Sequence, residues 1–416
     1  MSPASQICGT LYELSRTENG RNVFLDLSGV QVLVVQRLEE ADHILRLNAV
    51  NYRKNMAWFR QGLGTSRFSE DGNPWEIRRD LTQSYFSRFD RERTFALSEH
   101  HARIALGKMI DRSATGASTI DIDVLREMTA SVLVENFLDV KLVDTGLDLA
   151  VLAQIMERAS EFSFVPAGKA GAIYREHLAV LPALRRQALE SMRYFRSEHM
   201  PLTPMLSDMK TADLDSANNF VLEQELMSFL AAGIEASAAA VSWACYLLAA
   251  NPKVQENLRP LAHDLWRDGN ASWHSLSRLK PFGTFISETL RLFPPTPIIT
   301  RLANGPDRLG DQDIAEEQSV IISFIGIQHD KRHRADPWRL DIGEQALKPA
   351  SGDFTAFSFG PRICGGKQFA LVELATFLSV FVAGARFELT SMEPPRFRWR
   401  SQLLCEGGQP VRVLPC

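Results

Sequence analysis

One cysteine lies in a glycine-rich segment that leads directly into an apolar stretch. The segment reads FSFGPRICGG from Phe357 to Gly366, and the apolar stretch begins near Lys367 and has the pattern of a helix. Amide groups at a helix amino terminus favour negative charge, which lowers the pKa of a thiol and stabilises a metal–sulfur bond. Glycines such as Gly360 also let the backbone approach a flat ligand closely. This pattern favours Cys364 as a thiolate ligand.

Two other roles are open to Cys364 from the residues alone. A lone cysteine usually packs as a small apolar side chain in the core. A zinc site is less well supported, because no second Cys or His lies at a ligand spacing from Cys364.

The bulk composition narrows the protein class. The net charge is −4 and no long run of Lys or Arg is present, so we expect no nucleic-acid partner. Five scattered cysteines do not form a disulfide pattern, and the first residues contain neither a basic nor an apolar run. We therefore expect a cytoplasmic protein without a membrane anchor.

One apolar stretch, from Phe229 to Ala250, is long enough to cross a bilayer. Its only charge is Glu235, which would be costly in lipid. We predict instead a helix buried inside a large soluble domain.

Hydrophobic periodicity predicts a mainly α fold with a small β region. A β-containing part is expected at about 20–70, with a strand at Val30–Val35 followed by a helix. A helical core is expected at about 74–293. A last part at about 294–416 is expected to hold the cysteine loop, short strands near 298–302 and 320–324, a helix near 366–383 and further strands to the end. The whole of 1–416 is predicted to form one domain.

The cysteine segment resembles the haem-binding loop of cytochromes P-450, Phe-x-x-Gly-x-Arg-x-Cys-x-Gly, and the likeness continues through Phe369, Ala370 and Glu373. The resemblance implies a helical triangular prism with haem b (iron protoporphyrin IX) between a long distal helix and this loop. It implies that Cys364 ligates the iron, with Phe357, Gly360 and Gly366 shaping the loop. A thiolate ligand pushes electron density toward bound dioxygen and favours O–O cleavage.

Other positions match the same family in the same order along the chain. Trp75 and Arg79, together with Arg301 and Arg362, match residues that bind the haem propionates, although Arg301 could also be a solvated surface arginine. Glu288 and Arg291 lie three residues apart, which on its own is common in solvated helices. The resemblance gives this pair a structural role beside the haem loop.

The stretch AAGIEAS, from Ala231 to Ser237, resembles the family's oxygen-binding pattern. Gly233 is expected to leave room for dioxygen and substrate, and Glu235 supplies the acid. The usual threonine is replaced by Ala236, so three routes for proton delivery stay open. Ser237 or water relays the proton, the substrate supplies a hydroxyl, or the chemistry is atypical, such as coupling, nitration or peroxide use. Ser237 could equally bond back to its own helix.

The implied reaction inserts one oxygen atom from dioxygen into a largely apolar small molecule, in secondary metabolism. Electrons would come from a separate ferredoxin or flavodoxin with its reductase, and the protein would be a monomer. A haem protein that binds gas without turnover and a peroxide-driven oxidase are the alternatives.

Two sets of residues are expected around this site by resemblance. Substrate-lining segments are expected at 52–70, 160–205, 229–237, 296–300 and 401–406. Lys367, Arg78, Arg88 and Arg91 could contribute positive charge for docking an electron donor, but acidic residues lie among them, and an ordinary solvated surface is the better interpretation.

Overall fold

The computed structural model describes residues 3–18, 20–27, 31–161, 172–215, 219–343 and 352–416. Helices dominate these residues and short strands form a minor part, as the sequence predicts. The helices are α1 Pro3–Thr17, α2 Leu38–Asp42, α3 Ala57–Leu63, α4 Gly72–Ser87, α5 Arg91–Ala114, α6 Ile122–Leu138, α7 Leu149–Ser160, α8 Ala172–Met192, α9 Pro204–Asp213, α10 Leu222–Ala250, α11 Pro252–Trp266, α12 Trp273–Ser277, α13 Lys280–Leu292, α14 Phe324–Gln328 and α15 Lys367–Gly384. The strands are β1 Val23–Asp26, β2 Gln31–Val35, β3 Tyr52–Lys54, β4 Ile298–Ala303, β5 Asp307–Leu309, β6 Gln312–Ile314, β7 Ser319–Ser323, β8 Ala385–Leu389, β9 Phe397–Trp399, β10 Leu403–Cys405 and β11 Val411–Pro415.

The long helix α10 lies at the centre of the molecule. Its 29 residues span about 44 Å at 1.5 Å per residue. Pro252 follows Asn251 and cannot continue the same helix without losing an amide donor, so α10 ends at Ala250. Helices α6 and α15 pack against α10, and α5 packs against both of them. The stretch from Phe229 to Ala250 is thus part of a core helix, and 78% of the most apolar 18-residue segment of that helix is buried.

A five-stranded sheet stands beside the helices, in the order β1-β2-β7-β4-β3. Only β2 and β7 run parallel, and the other neighbours are antiparallel. The register of β3 and β4 places Lys54 opposite Arg301. Strands far apart in the chain therefore bring two cations to one position.

A short π-helix, His43–Leu47, supports the segment that precedes Cys364. Gly360 has φ +73° and lies so close to this π-helix that a Cβ atom would overlap the Leu45 carbonyl oxygen. Glycine is required there both for the backbone conformation and for the contact. The amino-terminal part of the chain thus fixes the path of the cysteine segment.

Candidate functional site

The Cys364 side chain lies where two backbone amides meet at the start of α15. The Cys364 side chain is exposed, its amide donates to the Phe357 carbonyl at 2.9 Å, and its carbonyl accepts from the Lys367 amide at 3.4 Å. Burial raises the pKa of the Cys364 thiol, whereas the two amides and the positive charges of Arg67 and Lys367 act to lower it. Together these effects leave the pKa of the free thiol raised, and a metal cation bound to the sulfur would favour the thiolate.

Two arginine side chains lie over the Trp75 ring, near the cysteine segment. The Arg362 guanidinium carbon lies 3.7 Å from the ring centroid and that of Arg79 lies 4.7 Å away. Arg362 Nη2 donates to Asp71 Oδ1 at 2.5 Å, while its buried Nη1 has no hydrogen-bond partner among the described residues. A buried guanidinium nitrogen without a partner calls for an acceptor that the described part of the chain does not supply.

Two further cations complete this cluster. Arg301 is 6% exposed and donates from Nη1 to the Thr300 carbonyl at 2.8 Å, so it is not the solvated arginine that the sequence leaves open. Burial, opposed by Asp71 and reinforced by Arg362, lowers the pKa of Arg301 to about 10. Lys54 is half-buried, and its partial burial together with the charges of Arg301 and Arg362 lowers its pKa well below the usual value. This excess of buried positive charge suits a ligand with carboxylates.

From Glu225 to Ser237, the accessible residues of helix α10 lie on one stripe. The stripe comprises Phe229, Ala232, Gly233 and Ala236, at the spacing of one helical face. A Cβ atom on Gly233 would lie only 2.8 Å from Leu133 Cδ2 of α6. Gly233 is therefore needed for close packing of α10 on α6, a reason that its sequence pattern does not reveal, and it also lies on the stripe.

Ser237 points away from this stripe toward α15. Its hydroxyl donates to Glu373 Oε2 at 2.7 Å, and both side chains are buried. Burial raises the pKa of Glu373 to about 8, and the bond from Ser237 lowers it in part. The hydroxyl contacts a carboxyl that holds a proton at neutral pH, rather than a carbonyl of its own helix.

Glu235 forms a buried ion pair with Arg126 of α6. Arg126 Nε lies 2.9 Å from Glu235 Oε1, and Nη2 lies 3.1 Å from Oε2. Arg126 Nη1 also donates at 2.6 Å to Asp123, whose side chain is 73% exposed. Burial raises the pKa of Glu235 and Arg126 opposes that rise. The distal acid is thus linked through one arginine to the protein surface.

Glu288 and Arg291 form a second buried pair, on α13. Arg291 Nε and Nη2 donate to the two Glu288 oxygens at 2.8 and 2.7 Å. The arginine also donates to the carbonyls of Pro337 and Arg339, and the Asp341 amide donates to Glu288 Oε2 at 3.0 Å. The pair therefore ties α13 to the loop that leads toward the cysteine segment.

Some sequence expectations for this region need correction or fall outside the description. Arg78 is not a surface docking residue: it is 1% exposed and donates to Glu225 Oε1 at 2.5 Å. In the expected lining segment 160–205, residues 162–171 lie outside the described residues, as does Val30 of the expected first strand. Within the described ranges, no cluster of three His, Cys, Asp or Glu side chains could hold a zinc ion.

Known proteins share parts of this sequence. Cytochrome P450 4X1 from Rattus norvegicus is 34% identical over 194 residues, which cover 45% of this chain and 38% of that protein. Cytokinin hydroxylase from Arabidopsis thaliana is 32% identical over 41% of this chain and 34% of its own length. Carotene epsilon-monooxygenase, chloroplastic, from Arabidopsis thaliana is 29% identical over 54% of this chain and 44% of its own length. The chain thus spans less than half the length of these relatives.

The expectation of a cytoplasmic protein is wrong in the light of these findings. One of the similar proteins is named as chloroplastic, and none of the three names points to the cytoplasm. Two helices, Leu222–Ala250 and Lys367–Gly384, are also long and apolar enough to cross a membrane, although both are mostly buried here. Cysteine content and an unremarkable first segment do not determine cellular location.

The sequence profile of the cytochrome P450 family matches residues 10–407. This family implies a haem cofactor, and the residues present fit one. Cys364 offers a sulfur to the iron, the unpartnered Nη1 of Arg362 and buried Arg301 suit the propionates, and the small side chains on α10 leave space beside a flat ring. The chain belongs to the cytochrome P450 family.

Proposed function

We propose that this protein is a haem-thiolate monooxygenase that inserts one oxygen atom from dioxygen into a largely apolar small-molecule substrate. The observation that carries the proposal is the position of Cys364, which is exposed just before α15, where the backbone amides of Gly366 and Lys367 act to lower the pKa of its thiol. These amides stabilise a negatively charged sulfur, although burial keeps the pKa of the free thiol above its usual value. When bound, the haem supplies activation of dioxygen, which thiolate ligation favours.

The cation cluster consists of Arg79, Arg362, Arg301 and Lys54, and it would hold and orient the cofactor. Arg362 and Arg79 lie over Trp75, and Arg301 and Lys54 lie opposite each other in the neighbouring sheet, so two propionates bound there would pair with these positive charges. Bonds between a guanidinium and a carboxylate are among the strongest that side chains form. Trp75 adds a flat apolar surface beneath Arg362.

The accessible stripe on α10 supports an apolar substrate. Its side chains are the ring of Phe229 and the methyl groups of Ala232 and Ala236, with no charged group among them. Sites for small molecules are lined mainly by apolar groups with few polar ones. We therefore propose a largely apolar ligand of the kind found in secondary metabolism.

Proton delivery is assigned to Ser237 and Glu373, with water or a substrate hydroxyl completing the path. Ala236 has no hydroxyl, so the nearest hydroxyl on α10 is that of Ser237. Glu373 holds a proton at neutral pH because its pKa is raised to about 8, and it lies 2.7 Å from the Ser237 oxygen. A rotation of the Ser237 side chain would carry that hydroxyl from α15 toward the stripe.

Electrons are proposed to come from a separate ferredoxin or flavodoxin with its reductase, acting on a monomer. The test uses the purified haem-loaded protein, a surrogate ferredoxin and reductase, and isotopically labelled dioxygen. Ligands are first selected by the shift that they cause in the ferric Soret band. We expect one labelled oxygen atom in the product. Tight ligand binding with no product in this assay would instead indicate a gas-binding or ligand-binding haem protein.

A peroxide-driven reaction is the second candidate, and Ala236 is the observation that favours it. The oxygen of hydrogen peroxide is already partly reduced and protonated. An enzyme that uses peroxide therefore depends less on a hydroxyl group beside the oxygen for proton delivery. Comparing turnover with hydrogen peroxide alone against turnover with the electron donors decides between them. Faster turnover with peroxide alone would replace the first proposal.

A further inference from the structure

The residue after the cysteine, Gly365, has a guanidinium packed where a side chain would be. A Cβ atom on Gly365 would lie 2.9 Å from Arg67 Nη2 and 3.3 Å from Gln83 Oε1. Contacts this short are not tolerated by a real Cβ atom without movement of its neighbours. Glycine at this position therefore creates the space that the Arg67 side chain fills.

Arg67 is fixed in this position from several directions. Its Nη1 donates to Thr82 Oγ1 at 2.8 Å, and its Nη2 donates to Gln83 Oε1. The Arg67 backbone amide donates to Glu225 Oε2 at 3.0 Å, and its guanidinium carbon lies 5.3 Å from the Phe86 ring centroid. The two side-chain acceptors both come from α4 and are uncharged, so they orient the guanidinium without neutralising it.

The charge of Arg67 acts on the Cys364 sulfur. Its guanidinium packs against the residue that follows Cys364, because Nη2 lies 2.9 Å from where a Cβ atom of Gly365 would be. A positive charge held there stabilises negative charge on the neighbouring sulfur. A partly buried cation is screened less than one on the surface, so this interaction extends to whatever the sulfur binds.

We propose that Arg67 is a positioning residue that raises the reduction potential of the haem iron by holding a fixed positive charge beside the Cys364 ligand. The inference rests on the proposed ligation of the iron by Cys364. Reduction adds one negative charge to the site, and a nearby cation stabilises the reduced state more than the oxidised one. The same charge draws electron density from the thiolate, which weakens its donation to the iron.

The test measures the midpoint potential of the haem-loaded protein by spectroelectrochemical titration in Arg67→Met, Arg67→Lys and Gly365→Ala. Arg67→Met is expected to shift the potential to a more negative value. Arg67→Lys keeps the charge but cannot bridge both acceptors on α4, so a smaller shift is expected. Gly365→Ala pushes the guanidinium away without removing it and is expected to shift the potential in the same direction. It also keeps the test decisive if Arg67→Met does not fold.

Two further variants separate charge from general disturbance. Combining Arg67→Met with Gly365→Ala should give no larger shift than Arg67→Met alone, because both changes act through one guanidinium. Arg103→Met removes an exposed arginine of α5 and should leave the potential unchanged. Equal potentials in the wild type and Arg67→Met, or equal shifts in Arg67→Met and Arg67→Lys, would overturn the inference.

Failure of the underlying ligation would look different. Every variant is also reduced and exposed to carbon monoxide, and the thiolate-ligated complex gives a red-shifted Soret band. If the wild type lacks this band, the proposed haem ligation by Cys364 fails. If the band is present throughout and the potentials do not respond to Arg67, only the inference about Arg67 fails.

Discussion

Glu288→Gln removes the charge from the buried pair on α13 while keeping its shape. Arg291 then keeps one acceptor on the side chain of residue 288 instead of two, and its charge loses the counterion. The Asp341 amide also loses a charged acceptor. Because both side chains are at most 1% exposed, water cannot replace the lost interactions. Breaking a buried pair in this way costs about 3–5 kcal/mol of unfolding free energy.

The matched control is Glu99→Gln on α5. Glu99 also pairs with an arginine on its own helix, Arg103, at 2.9 Å, but these side chains are 31% and 54% exposed. Its removal should cost about 0.5 kcal/mol or less. Both variants are unfolded in urea at 25 °C and followed by far-UV circular dichroism. A loss below about 1 kcal/mol in Glu288→Gln would refute the argument from burial.

Three more predictions address the site. Glu373→Gln should flatten the pH dependence of stability. The folded-state pKa of Glu373 is about 8 and the usual value is 4.5, so the stability that this group contributes is complete below pH 4.5 and is lost as the pH rises toward 8. Urea unfolding midpoints of the wild type and the variant at pH 5.5 and 8 will show the difference. Ala236→Thr and Ser237→Ala should change the ratio of product formed to electrons consumed, and an unchanged ratio in both would exclude this turn of α10 from proton delivery. Arg362→Gln should speed haem transfer to an acceptor globin by roughly ten- to a hundredfold, since a bond to a charged partner contributes about 1.5–3 kcal/mol. An unchanged rate would separate Arg362 from the propionates.

The features that could be predicted from sequence are local ones. Each of three features lies within one helix or loop: the cysteine segment, the Trp75–Arg79 pair and the Glu288–Arg291 pair. The relative positions of the two pairs follow from the helical repeat. The helices were predictable for the same reason. The short strands β5 and β6 were not, because three residues are too few to show an alternating pattern.

The partners that sequence could not supply come from distant segments. Arg126 lies 109 residues before Glu235, and Glu373 lies 136 residues after Ser237. Lys54 joins the cation cluster only through the register of β3 with β4. No local spacing encodes such contacts, since they depend on how helices and strands pack.

Arg78 shows a different limit. It is adjacent to Arg79 on α4, and neighbouring residues on a helix point about 100° apart. One of the two faces the core and pairs with Glu225, whereas the other reaches Trp75. The sequence identifies both arginines as cations but not which one is buried.

The central claim is that Cys364 ligates the haem iron. The most direct measurement is the absorption spectrum of the reduced carbon monoxide complex in the wild type, in Cys364→Ala and in Cys416→Ala, which removes an exposed cysteine at the carboxyl terminus. We expect a red-shifted Soret band in the wild type and in Cys416→Ala, and its complete loss in Cys364→Ala. Persistence of the band in Cys364→Ala would contradict the claim.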